Sequence, residues 1–208
     1  MPASPELTRK LSVAVTTPLR AALRFPPELL LRAQGPALAM KAAIFDVDGV
    51  LTDGRIYIGE HGETVKAFAT LDGHGLKLLR QGGIEPLVIT GRDSAAVRRR
   101  VADLKLQHAV YGAHDKLAAA EGLLASLGLA WPEVAAIGDD WPDLPLLLRA
   151  GFGCAPANAH AEVKAVAHHV TANAGGYGAA REFCDLLLMA AGRYGDLLQG
   201  HLQTLDGM

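Results

Sequence analysis

The sequence predicts an α/β domain in which a parallel β-sheet is flanked by helices and a β-hairpin is inserted after the first strand. From Lys41 onward, short apolar runs alternate with longer amphipathic stretches, which is typical of βαβ units. The runs end on small or acidic residues, and no internal repeat divides residues 41–191. We predict one domain over 41–191, preceded by an N-terminal extension (1–40) and followed by a C-terminal tail (192–208).

Apolar spacing and terminating residues predict the individual elements in order. Pro26 and Pro27 favour a short helix that runs to Arg32. Strands are predicted at 42–45, 86–89 and 134–137, with shorter strands at 109–111, 153–155 and 169–170. Helices are predicted at 73–81, at 94–104 with Ser94 as the N-cap, at 116–127 with an end at Gly128, and at 178–191.

The predicted hairpin interrupts this alternation. Residues 55–58 and 64–68 alternate apolar and polar side chains around a Glu-His-Gly turn, a pattern that indicates two antiparallel strands. A two-stranded ribbon cannot bury its own apolar side chains, which here are Ile56, Ile58, Val65 and Phe68. We therefore expect copies of the chain to associate through the hairpin.

Composition narrows the functional class. The chain has 208 residues, 20 Lys+Arg against 22 Asp+Glu, and 50% apolar residues, so one hydrophobic core can form without disulfides or metal. Residues 1–40 hold five basic against two acidic residues, a net charge of +3, but the near-neutral total argues against nucleic acid as a partner. No apolar run reaches the roughly 18 residues of a membrane span. We expect a small-molecule partner.

The cysteines indicate the compartment. Cys154 and Cys184 lie in apolar surroundings and show no metal-ligand spacing, which predicts buried free thiols. Free thiols suit a reducing compartment. We therefore expect a cytoplasmic protein.

Polar residues follow several predicted strands. Asp46 and Asp48 come after the first strand, Thr90 after the second, Lys116 after a third segment and Asp139 after another. Ligands of open parallel sheets bind beyond the carboxyl ends of the strands. Adjacent carboxylates repel each other unless they share a cation, and Mg²⁺ prefers such oxygen ligands. A hydroxyl and an ammonium can hold phosphoryl oxygens, so the pattern predicts a Mg²⁺-dependent phosphoryl-transfer site.

These motifs, DVDGV, VITGR, Lys116 and GDDWPD in this order, resemble those of the haloacid dehalogenase (HAD) superfamily of phosphatases. The chain also resembles the capless family that acts on 3-deoxy-D-manno-octulosonate 8-phosphate (KDO 8-phosphate). The segments that carry this resemblance are DVDGVLTDG, the hairpin with KAF, LDGHG and GGYGAAREFCD. The similarity covers about residues 41–191. It implies a Rossmann-like fold without a large cap domain, a homotetramer with hairpins at its centre, and a role in making the lipopolysaccharide sugar.

The resemblance also implies catalytic roles. Asp46 corresponds to the nucleophile that becomes an aspartyl phosphate, and Asp48 to the general acid and base. Thr90 and Lys116 would bind the phosphoryl oxygens. Mg²⁺ would be held by Asp46, the backbone carbonyl of Asp48, and Asp139. The carboxylates expected to support these ligands and Lys116 from outside are Asp140 and Asp143.

Substrate contacts of the family fall on one segment, two arginines and the lysine already named. They are Ala69, Thr70, Leu71, Asp72, Gly73, Arg92, Arg100 and Lys116. Arginine suits the forked recognition of a sugar-acid carboxylate. The glycine-rich segment 175–181 would reach a neighbouring subunit's site. At Leu71 and Tyr177, where relatives can have arginine, a possible anion contact is missing.

Two alternatives stay open at this stage. The same capless scaffold serves phosphatases of other nonulosonic or sialic-type sugar acid 9-phosphates. Receiver-like signalling modules also place acidic residues, a hydroxyl and a lysine at a parallel-sheet edge. Asp48 argues against a receiver because it supplies a base for turnover, and the hairpin has no role in a monomeric receiver.

Overall fold

A computed structural model describes residues 25–36 and 40–203. The strands in these ranges are β1 (Ala42–Phe45), β2 (Tyr57–Gly59), β3 (Gly62–Val65), β4 (Glu85–Ile89), β5 (His108–Val110), β6 (Val134–Ile137), β7 (Phe152–Ala155) and β8 (His169–Val170). The α-helices there are α1 (Pro27–Ala33), α2 (Thr70–Gln81), α3 (Ala95–Leu104), α4 (Lys116–Leu127), α5 (Leu144–Arg149), α6 (Ala161–Val166), α7 (Ala179–Ala190) and α8 (Tyr194–Gln203).

Six strands form one parallel sheet in the order β5-β4-β1-β6-β7-β8. The central strand β1 pairs with both β4 and β6, so that Ala43 lies between Pro86 and Ala135. Every residue of β1 is buried, as expected for a strand covered on both faces. The predicted α/β fold with a parallel sheet is confirmed.

Alternate residues of β1 contribute to two hydrophobic cores. Phe45 belongs to the core under α2 and α7, where its ring meets Phe183 edge-on at 5.5 Å. Ile44 belongs to the opposite core, with Leu124 of α4 and Val163 of α6. The sheet is therefore covered by helices on both sides, and polar chemistry is confined to its edges.

Two helix starts differ from prediction. Helix α2 begins at Thr70 instead of residue 73, because Asp72 in its first turn adds a negative charge where the helix dipole favours one. The prediction that Ser94 caps α3 with its side chain is wrong. Ser94 has the extended N-cap backbone but makes no capping bond, because its hydroxyl donates to Oε1 of Glu63 at 2.5 Å.

The described parts of the N-terminal extension and of the C-terminal tail each contain a helix. Helix α1 begins at Pro27 as predicted and packs against α7, where Nε2 of Gln34 donates to the Ala190 carbonyl at 3.0 Å. Helix α8 lies within the predicted tail and packs on the same helix. The rest of the basic extension, 1–24 and 37–39, and the last residues 204–208 fall outside the described ranges. Within those ranges no helix has the length and apolar character to cross a membrane.

The inserted hairpin is formed by β2 and β3, which pair antiparallel with an irregularity between Tyr57 and Ile58. Ile58 is 76% exposed and Val65 is 57% exposed. Phe68, by contrast, packs against the core of its own chain. Part of the predicted apolar surface is thus used within the chain, and the rest faces outward.

Candidate active site

The carboxyl ends of β1, β4 and β6 border a cleft of about 520 Å³. The chain leaves β1 for β4 and β5 on one side and returns to β6 on the other. Ligands of open parallel sheets bind at such a switch point. The polar side chains that line the cleft are Asp46, Asp48, Arg92, His114, Lys116, Asp139, Asp140 and Asp143.

Lys116 joins two of these carboxylates. It begins α4, and Asp115 caps that helix by accepting a hydrogen bond from the Ala118 N–H at 3.0 Å. Nζ of Lys116 donates to Oδ1 of Asp46 and to Oδ1 of Asp143, both at 2.7 Å. Burial lowers the pKa of Lys116, but the two carboxylates raise it by more. The side chain is therefore an ammonium ion at neutral pH.

Three carboxylates surround this ammonium ion. Oxygen atoms of Asp46, Asp139 and Asp143 lie within 4.8 Å of one another. Burial, then the charge of Asp143, raise the pKa of Asp46 well above its ordinary value and that of Asp139 to about 6. One ammonium ion does not neutralise three carboxylates, so the site favours a further cation. The all-oxygen donor set fits Mg²⁺.

Asp143 and Gly49 hold this cluster in place. Oδ2 of Asp143 accepts hydrogen bonds from the N–H groups of Asp139 at 3.2 Å and Asp140 at 3.4 Å, and the supporting role of Asp143 stays a prediction. Gly49 has φ +91°, and a Cβ atom there would lie 2.0 Å from Oδ2 of Asp139. Glycine is therefore required beside Asp139.

Asp48 lies across the cleft and has a different lysine. Lys66 of the hairpin donates a short hydrogen bond to Oδ1 of Asp48 and pairs with Oε2 of Glu63 at 3.2 Å. Burial raises the pKa of Glu63, but bonds from Ser94 and Lys66 outweigh it and hold the pKa below its usual value. Sequence reasoning missed Lys66 and Glu63, since charged residues in an alternating hairpin normally face solvent. The KAF motif was the only signal.

Thr90 and Arg92 follow β4, as predicted. Thr90 is buried, and its hydroxyl oxygen accepts a hydrogen bond from the Arg92 N–H at 3.3 Å. Nε of Arg92 lies 3.8 Å from Oδ2 of Asp48, and its side chain is half exposed. Arg92 is thus placed at the open side of the cleft.

The other predicted substrate residues do not line the cleft of their own chain. Arg100 reaches back to α2, where Nη2 donates to the Ala69 carbonyl at 3.0 Å and the guanidinium lies over the Phe68 ring. Asp72 is buried and accepts a hydrogen bond from the Arg181 N–H at 2.8 Å. Gly73 is also buried, whereas Thr70 and Leu71 are exposed.

The glycine-rich segment lies on the turn that follows β1. Gly176 N–H donates to the Val50 carbonyl at 3.0 Å. The Asn158 side chain accepts from Gly175 N–H at 2.6 Å and donates to the Gly49 carbonyl at 3.0 Å. A Cβ atom at Gly175 would lie 1.8 Å from that carbonyl oxygen. Contacts within the chain therefore order this segment, and the sequence did not predict the bridging role of Asn158.

The strand order, together with Asp46, Thr90, Lys116 and Asp139 at one sheet edge, is typical of a phosphohydrolase of the haloacid dehalogenase class. Residues 110–182 match the family model described as haloacid dehalogenase-like hydrolase. The chain is 44% identical over 154 residues to 3-deoxy-D-manno-octulosonate 8-phosphate phosphatase KdsC of Escherichia coli K12, a match that covers 74% of this chain and 82% of that protein. The chain belongs to this phosphatase family.

Solved structures agree with this membership. A probable YrbI family phosphatase from Pseudomonas syringae superposes with a TM-score of 0.80 at 46% identity, covering 88% of this chain and 100% of that one. The Moraxella catarrhalis 3-deoxy-D-manno-octulosonate 8-phosphate phosphatase, in complex with magnesium, phosphate and KDO, has a TM-score of 0.78 at 39% identity. That match covers 87% of this chain and 99% of the other.

Proposed function

We propose that the protein is a Mg²⁺-dependent phosphatase that hydrolyses KDO 8-phosphate to KDO and phosphate through an aspartyl phosphate. The observation that carries this is the buried cluster in which Lys116 bonds Asp46 and Asp143 at equal distances beside Asp139. A relative of the same family holds magnesium, phosphate and KDO together, which supports both cofactor and substrate.

Asp46 begins the reaction. One of its carboxylate oxygens forms a bond to phosphorus while the bond between phosphorus and the sugar oxygen breaks. The electron pair of that bond goes to the sugar oxygen, which takes a proton from the carboxyl group of Asp48. The products of this step are the free sugar acid, phosphorylated Asp46 and ionised Asp48.

Water completes the turnover. Asp48 takes a proton from a water molecule as the water oxygen bonds to phosphorus. The bond from phosphorus to Asp46 breaks and its electron pair returns to the carboxylate, releasing inorganic phosphate. Asp48 thereby regains the proton that it donated in the first step, so the cycle is closed.

The remaining residues bind charge. Lys116 and Thr90 would hold phosphoryl oxygens, and Asp46, the Asp48 carbonyl and Asp139 would hold the metal, supported by Asp140 and Asp143. Mg²⁺, when bound, supplies the positive charge that offsets the carboxylates and the phosphate dianion.

Arg92 is proposed to bind the carboxylate of the sugar acid, because it is half exposed at the open side of the cleft. The second candidate substrate is the 9-phosphate of another nonulosonic or sialic-type sugar acid. Leu71 and Tyr177, both more than 60% exposed, leave two anion contacts unfilled, so the identity of the sugar is the part most open to test.

The hairpin over residues 55–68 is proposed to assemble a homotetramer. Its exposed Tyr57, Ile58 and Val65 need a partner surface. Assembly would let Arg100, the 69–73 segment and the glycine-rich segment serve a neighbouring cleft. We place the catalytic domain at 41–191, between the basic extension and the C-terminal tail. The buried thiols Cys154 and Cys184 support a cytoplasmic location.

Phosphate release from KDO 8-phosphate with Mg²⁺, measured beside a panel of other sugar phosphates and beside Asp46→Asn, tests the proposal. We expect selective turnover that the variant abolishes. Preference for another sugar acid phosphate would move the protein to the second candidate. A wild-type protein that keeps phosphate on Asp46 without releasing it would instead be a receiver-like module.

A further inference from the structure

We infer that Lys66 is a positioning residue for the reaction, which fixes the carboxyl group of Asp48 for proton transfer. The inference rests on the proposed function, because it assigns Lys66 a task only if Asp48 exchanges a proton with the sugar oxygen and with water. Lys66 itself does not line the cleft.

The basic side chain of Lys66 is buried. Its side chain has 0% exposure although it carries an ammonium group. A buried charge is costly unless hydrogen-bonded partners compensate it. The partners are the carboxylates of Asp48 and Glu63, so the ammonium group is held at a defined point between them.

Two basic side chains contact the Asp48 carboxylate from different sides. Lys66 donates a hydrogen bond to Oδ1 of Asp48 from the hairpin side, and Nε of Arg92 lies 3.8 Å from Oδ2 of Asp48 on the cleft side. One oxygen is therefore anchored by a buried group, while the other faces a half-exposed arginine. A carboxyl group anchored in this way keeps its second oxygen in one orientation, which is what proton transfer requires.

Glu63 links Lys66 to Ser94 through a chain of polar contacts. The Ser94 hydroxyl, directly before α3, donates to Oε1 of Glu63, and Oε2 of Glu63 pairs with Lys66. Ser94 is itself buried. Lys66 is thus anchored to the segment after β4 as well as to the hairpin, so its position does not depend on one contact.

The test compares a leaving group that needs a proton with one that does not. Lys66→Met removes the ammonium group and keeps the approximate length of the side chain. Single-turnover release of KDO from KDO 8-phosphate needs a proton on the leaving oxygen, whereas release of p-nitrophenolate from p-nitrophenyl phosphate does not. We expect Lys66→Met to slow KDO release by at least about 10-fold, which is part of the about 10² to 10⁴-fold that a general acid contributes, and to slow p-nitrophenolate release far less.

Two further measurements exclude a merely structural role. Asp48→Asn should show the same selectivity, and the double variant should be no slower than Asp48→Asn alone, because the two residues act as one unit. Lys66→Arg should recover part of the KDO rate. Lys77→Met, at an exposed position of α2, is the matched control and should leave the ratio of the two rates unchanged.

Equal slowing of both substrates by Lys66→Met, or additive effects in the double variant, would overturn the inference. Should Lys66→Met fail to fold, Glu63→Gln replaces it, with the same selectivity expected in weaker form. If the wild-type enzyme does not hydrolyse KDO 8-phosphate, the proposed substrate is wrong, but the role of Lys66 is not thereby refuted. The ratio is then measured with whichever alkyl phosphate from the panel it does hydrolyse.

Discussion

The cleft holds two lysine–aspartate pairs that are built in different ways. Asp46 and Lys116 come from the central strand and from the start of α4, and both are buried in the main body of the domain. Asp48 is partly exposed, and its lysine comes from an inserted hairpin that keeps apolar side chains at the surface. The fold itself positions the first carboxylate, whereas the second depends on an addition to the fold.

This difference separates two functions of the site. The Asp46 pair lies with Asp139 and Asp143, where charge must be neutralised before a phosphate dianion can approach. The Asp48 pair lies where proton exchange is proposed, and the partial exposure of the Asp48 side chain suits that task. Loss of either buried lysine should therefore cost stability, and loss of Lys66 should in addition affect a protonated leaving group more than an acidic one.

The largest effect is expected from Lys116→Met. Removing one partner of a buried ion pair costs about 3–5 kcal/mol, and losing a donor to the transferring group costs about 10² to 10³-fold in rate. Urea unfolding and kcat on KDO 8-phosphate measure the two losses. Lys77→Met is again the control, and a variant as stable and active as that control would contradict the assignment.

The metal-free protein should lose stability as pH rises from about 4 to 6. The pKa of Asp139 is about 6 when folded against 3.8 unfolded, so the folded state binds this proton more tightly and ionisation of the group costs up to about 3 kcal/mol. Unfolding free energy measured in chelator across this range gives the slope. Asp139→Asn or added Mg²⁺ should reduce it, and an unchanged slope in both cases would refute this origin.

Gly49→Ala should weaken the metal site without removing a ligand. The added Cβ would meet Oδ2 of Asp139 at 2.0 Å, and changes to groups that orient a metal ligand typically cost about 10- to 100-fold in metal affinity. Titration of activity with Mg²⁺ measures the shift. Gly122→Ala in α4, where no atom lies within 4 Å of the new Cβ, should leave the Mg²⁺ dependence as in the wild type.

Ile58→Asp should have the smallest effect on the chain itself. Ile58 is 76% exposed, and surface substitutions usually change unfolding free energy by less than about 0.5 kcal/mol. The proposed tetramer should nevertheless dissociate, since a charge would enter its interface. Light scattering distinguishes the states, and Leu148→Asp, at another exposed apolar residue in α5, should not change the mass.

The sheet and the first lysine–aspartate pair could be predicted from the sequence for one physical reason. Parallel strands bring their carboxyl ends to one edge, so residues far apart in sequence, such as Asp46 and Asp139, meet as soon as the strands are recognised. Lys116 follows from the same logic because it starts the helix after β5. Apolar runs buried on both faces made these strands visible.

The second pair could not be predicted in this way. Whether Lys66 turns inward depends on how the hairpin lies against Asp48, and strand periodicity carries no such information. Ser94 shows the same limit, because a helix-cap pattern does not reveal a competing carboxylate from Glu63. Arg100 has a side chain long enough to reach either a cleft or its own helix, and here it binds the Ala69 carbonyl.

The side chain of Asn158 couples two loops beside the site. Its amide holds the Gly175 N–H and the Gly49 carbonyl at once, so the segment before α7 cannot lift away without releasing the turn beside Asp139. We therefore expect the two loops to exchange hydrogen as one cooperative unit. The Gly175 amide would then report, from far along the chain, on the order of the turn beside Asp139.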